Sequence, residues 1–94
     1  MKKFMVTFQV AGDDEMNRGI IYTTQKEFES ENLDKLFVLL EEGIENESIQ
    51  PEIDVPFIEG DINVEYVLIH DDNKKEIYRD EDFDESKVSK PRSL

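Results

Sequence analysis

Three groups of residues in this chain have the types and spacing for chemistry. His70 stands beside Asp71 and Asp72, and an imidazole next to carboxylates is the arrangement of a general base. A hydrolytic triad also needs an activated hydroxyl or thiol. The chain has no cysteine, and Ser30, Ser48, Ser86, Ser89 and Ser93 fall in expected caps, loops or the tail. His70 therefore reads as a turn residue and the chain as a non-enzyme. The second group, Asp80, Glu81, Asp82, Asp84 and Glu85, places oxygens at alternating positions as the start of an EF-hand calcium loop does. Its sixth position is Glu85 where glycine is needed, and its twelfth is Pro91 where glutamate is needed, so no metal site is expected. Neither a glycine-rich loop before a helix nor a Gly-Lys-Ser/Thr sequence occurs, and no cofactor is expected.

The third group is the carboxylates themselves. Of 24 acidic and 11 basic residues, giving a net charge of −13, residues 41–85 hold seventeen acids and three bases. Residues 1–40 are nearly balanced and residues 86–94 carry three bases and no acid. Glu41, Glu42 and Glu45 continue into Asp54, Glu59, Asp61 and Glu65, then into Asp71, Asp72, Glu76 and the run Asp80, Glu81, Asp82, Asp84 and Glu85. These carboxylates either keep a small domain soluble or form a binding face, and so dense a charge costs stability through self-repulsion, which solubility alone does not require.

The elements that must position these groups follow from periodicity. Phe4, Val6, Phe8 and Val10 alternate with Lys3, Met5, Thr7 and Gln9, the signature of a strand with one buried face. A turn-rich loop over 11–19 leads to a second strand over 20–24. Ser30 is the expected N-cap of a helix over 31–42, with Leu33, Leu36, Phe37, Leu40 and Ile44 as its apolar stripe. Gly43 is expected to close that helix, with Ile44 folding back onto Leu39. Pro51 and Pro56 interrupt residues 46–60, leaving an ordered connection with at most a short edge strand over 53–57. Ile62, Val64, Tyr66 and Leu68 alternate along a central strand over 62–69, a turn follows at 70–73, and residues 74–79 return as a polar edge strand. The order β-β-α-β-β predicts an α+β fold, a four-stranded and largely antiparallel sheet packed against one helix, with a β-grasp as one version.

Ninety-four residues make one domain, expected over 1–85 with a flexible basic tail over 86–94, because so short a chain supports a single core. The absence of cysteine suits a reducing cytoplasm, and no segment reads as a signal peptide or a membrane span. Phe4, Phe8, Tyr22, Phe37 and Tyr66 belong to apolar faces, and the charge repels phosphates, so direct nucleic-acid binding is not expected.

Carboxylates spaced along a strand face or a helix flank stand about 6–7 Å apart, close to the phosphate separation along one nucleic-acid strand. Such an array fits the Lys and Arg groove of a DNA-binding protein and gains association rate from long-range attraction. In length, charge and lack of cysteine the chain resembles the small acidic proteins with which bacteriophages disable host machinery. That group includes DNA mimics acting on HU-type nucleoid proteins, restriction enzymes and CRISPR nucleases. The resemblance implies a basic DNA-binding host protein as partner, in the cytoplasm of a bacterial cell, with the mimic a monomer or a homodimer. Phe57, Ile58 and Phe83, set among the acids, are either anchors for that partner or core. The alternative is an interaction module that binds by strand addition at the 74–79 edge or through the helix face.

Overall fold

Phe4, Val6, Phe8 and Val10 are at most 4% exposed, as their alternation requires. They lie on the first strand of a computed structural model that describes residues 1–12, 21–49 and 62–87. The chain forms β1 (Lys2–Gly12), β2 (Ile21–Ser30), α1 (Leu33–Glu45), β3 (Ile62–His70), β4 (Glu76–Arg79) and a 3-10 turn, Glu85–Lys87. The strands make one antiparallel sheet in the order β2-β1-β3-β4, with α1 on one face. This is the expected α+β architecture.

Because β2 and β3 are each antiparallel to β1, they run in the same direction on its two sides. The helix joins them in a crossover that skips over β1, and the two strands with partners on both edges, β1 and β3, hold the buried apolar strand residues. Leu36 and Leu40 of α1 close over Phe4, Val6, Phe8 and Ile69, and Phe28 completes the β2 end through an edge-on contact with Phe8 at 6.0 Å.

Five expectations are corrected. The helix is capped by Asn32, whose Oδ1 accepts from the Lys35 N–H at 2.8 Å, and Ser30 instead ends β2 and donates to the Asn32 carbonyl. The strand pulls Ser30 into register with Lys2, so the helix starts later than its hydroxyl suggested. At the other end, Gly43 lies inside α1, where Ile49 packs so closely that a Cβ would stand 2.3 Å from its Cδ1. Glu47, with φ of 61°, makes the left-handed reversal instead, and the Ile49 N–H donates to the Gly43 carbonyl at 3.1 Å. β2 extends to Ser30 although residues 25–30 are largely polar, because pairing along β1 supplies what strand propensity does not. β4 is confined to Glu76–Arg79, since Asp71, Asn73, Lys74 and Lys75 are tied into the turn.

The fifth correction concerns β3. Thr7 pairs with Leu68 but Phe8 pairs with Tyr66, which leaves Val67 as a β-bulge. Leu68 shares the far face with Thr7, whereas Tyr66 and Val64 share the helix face with Phe8 and Val10. The expected run Val64, Tyr66, Leu68 on one face is thus broken after Tyr66. The 13–19 loop, Ile20, the 53–57 strand, the anchors Phe57 and Ile58, and residues 88–94 of the tail lie outside the described residues.

Leu40 fills the centre of this core, so Leu40→Ala should cost about 2–5 kcal/mol in urea denaturation. Asn32→Ala should cost about 1 kcal/mol through the lost cap.

Candidate functional site: an acid-rimmed tyrosine patch

The half-buried aromatic rings gather at one end of the helix face. Phe37 of α1 meets Tyr78 of β4 edge-on at 5.1 Å and Tyr66 of β3 at 6.0 Å, and the two tyrosine rings are 5.7 Å apart. The apolar bodies close the core while the hydroxyls reach its rim, the usual division of labour in a half-buried tyrosine. The Tyr66 hydroxyl donates to Glu41 Oε1 at 3.2 Å. Asp80 comes to the same place from the other side, because its N–H donates to the carbonyl of the bulged Val67 at 2.9 Å. Glu41, Ile44, Val64, Tyr66, Tyr78 and Asp80 line a shallow hollow there, joined by Glu65, and no lysine or arginine among the described residues lines it.

The tyrosines register this environment. Tyr66 is pushed up to about 12, first by partial burial, then by its hydrogen bond to Glu41 and by the charges of Glu41 and Asp80. Tyr78 is raised as well, first by burial and then by Asp80, Glu41 and Glu81. Both phenols are neutral at physiological pH, and each would have to become an anion beside carboxylates.

The carboxylates expected to act fall into three sets. Glu42 and Glu45 on α1, Glu65 on β3, Asp72 in the turn, and Glu81 and Asp82 after β4 are exposed. A second set is engaged within the chain. Asp71 accepts from the N–H groups of Asn73 and Lys75, Asp80 from that of Asp82, and Asp84 from the N–H and hydroxyl of Ser86. Glu76 holds Arg79 at 2.7 Å, which keeps its carboxyl below the usual range, and Glu85 holds the same guanidinium at 3.1 Å. Asp54, Glu59 and Asp61 lie outside the described residues.

These acids do not form one continuous track. Glu65 borders the hollow but pairs with Gln9, so its side chain leaves the sheet on the face away from the helix. Asp71 and Asp72 sit at the opposite end of β3, around a groove shared with His70, Lys3, Lys74 and Glu27. The groups brought together are Glu41, Asp80 and Glu81. Glu42 and Glu45 stand in the last turns of α1, and the last turn itself contains no basic residue to offset the negative end of the helix dipole. Phe83 is half-buried beneath the Arg79 guanidinium, 5.8 Å from its ring centroid. Among the described residues no cluster of histidine and carboxylates is arranged to hold a metal ion, and no helix is long and apolar enough to cross a membrane.

Sequence reasoning placed Tyr66 in the core and passed over its rim position. The signal available was the recurrence of tyrosine, not phenylalanine, at positions 66 and 78 beside acidic runs. Val38 had no expected role and Leu39 only a contact with Ile44, yet both fall off the apolar stripe and are exposed, and Ile44 packs against the core instead.

Comparisons with protein-family models, curated proteins and solved structures find no match to this chain, so its function is argued from its own geometry.

Ultraviolet titration should show a tyrosinate step near pH 12 that Tyr66→Phe removes and Glu41→Gln moves downward. Because the folded value lies above the ordinary value of 10.0, the contribution of Tyr66 to stability is complete below about pH 10 and lost as pH rises through 12.

Proposed function

We propose that the acidic face around Tyr66 and Tyr78 imitates nucleic-acid phosphates and occupies the basic groove of a DNA-binding protein. The partner is a host protein of the kind that DNA mimics disable, such as a nucleoid protein, a restriction enzyme or a CRISPR nuclease. One observation carries the reading. Carboxylates from segments some forty positions apart, Glu41 on the helix and Asp80 after β4, converge on one pair of tyrosines, and no basic side chain among the described residues lines the hollow.

Two costs make that convergence hard to explain as mere solubility. Like charges gathered at one place destabilise the fold, and acids in the last helical turns oppose the helix dipole by about 0.3–1 kcal/mol each. A basic groove offsets both costs at once. The tyrosine rings suit the same partner, since an arginine or lysine packs favourably on an aromatic face while its charge meets a carboxylate.

The test is capture from bacterial lysate on the immobilised protein at low salt, followed by elution with a salt gradient and with duplex DNA. A DNA-binding protein displaced by both is the expected result. The triple variant Glu41→Gln, Asp80→Asn and Glu81→Gln preserves the local acceptors and should weaken that partner on the order of tenfold, at about 0.5 kcal/mol per exposed charge. A partner retained through high salt and indifferent to DNA would overturn mimicry and favour strand addition at the β4 edge.

A further inference from the structure

The outer face of α1 carries a second feature that charge does not explain. Val38 and Leu39 are 53% and 40% exposed, the most open large apolar side chains in the described structure apart from Met1. They flank an open groove of about 620 Å³ that runs along the helix from Asp34 to the return segment at Ile49. Its floor is tight, because Gly43 lets Ile49 lie directly against the helix backbone. Its rim is acidic. Asp34 and Glu42 line it, and the one ammonium among the described lining residues, that of Lys35, is held by Glu31.

A second copy of the chain is a poor occupant, since each copy carries a net charge of −13 and presents the same acidic rim. A segment with an apolar side chain between lysines or arginines satisfies both floor and rim. We infer that this groove seats an apolar side chain from a basic segment of the partner, and so supplies the contact that charge mimicry lacks. The inference rests on the proposed engagement of a basic protein and names a second point of contact for it. Electrostatic attraction brings any cationic surface to the acidic face, whereas the groove selects among them by shape and apolar burial. The groove's share of binding persists at salt concentrations that screen the acidic face.

Two synthetic helical peptides of equal charge make the test. One has lysines and leucines on opposite faces, and the other has every leucine replaced by glutamine. Binding to the full chain is followed by fluorescence anisotropy at low salt and at 0.5 M salt, the latter being roughly enough to screen exposed charges. The leucine peptide should bind about tenfold tighter at high salt, the gain expected from burying part of one or two apolar side chains. Val38→Ser with Leu39→Ser should abolish that preference and leave the low-salt affinity for the glutamine peptide unchanged. Leu39→Ala alone, which keeps full helix propensity, should reduce the preference without any question of folding. The triple variant at Glu41, Asp80 and Glu81 should weaken both peptides alike at low salt and keep their ratio. Equal binding of the two peptides by the native protein, or a preference that survives Val38→Ser and Leu39→Ser, overturns the inference alone. A native protein that ignores the glutamine peptide at low salt overturns the acidic-face reading and the inference with it.

Discussion

The arrangement of the molecule turns on one extra residue in β3. With Val67 bulged out of the pairing to β1, the residues N-terminal to it change faces, and Tyr66 and Val64 come to lie under the helix with Ile69. Without the bulge, Tyr66 would lie on the far face of the sheet and its hydroxyl could not reach Glu41. The bulged residue also gives Asp80 its backbone anchor, through the Asp80 N–H and the Val67 carbonyl. A local irregularity in one strand thus sets which aromatic rings the helix covers and which carboxylates surround them.

The core that pins this arrangement is small. Phe4, Val6 and Phe8 meet Leu36 and Leu40 across one layer, and the described acidic residues lie outside that contact. The helix therefore serves two sides at once. Leu36 and Leu40 face inward, Glu41 reaches toward the tyrosines, and Val38, Leu39 and Glu42 face solvent. Five consecutive apolar residues, Leu36 to Leu40, cannot all share one stripe at 3.6 residues per turn, and the two left over form the walls of the outer groove.

Much of the fold was legible from the chain, and the failures have physical causes. β1 was unambiguous because every second residue from Phe4 to Val10 is apolar and its neighbours are mostly not. The helix and its stripe were equally clear. The bulge was hidden because the apolar run Val67, Leu68, Ile69 fits either parity, and only the register against β1 decides which residue is extra. Ser30 and Asn32 are both good cap residues, and the choice between them depends on how far β2 pairs with β1. The acidic residues were legible as a total but not as a surface. Which of them spend their oxygens on local N–H groups, as Asp71, Asp80 and Asp84 do, depends on turn geometry that residue type does not encode.

The last turns of α1 carry Glu42 and Glu45, and its last turn contains no basic residue of its own to complement the helix's negative end. An external cation lodged there acts as the missing half of the helix terminus, so it strengthens the element that holds it. Occupancy and folding are then linked equilibria: a ligand that prefers the folded chain raises its stability in proportion to the logarithm of its concentration. Under the proposed reading, the isolated protein is the less stable form and its target completes it, which makes the free chain the one more open to proteolytic clearance once that target is gone.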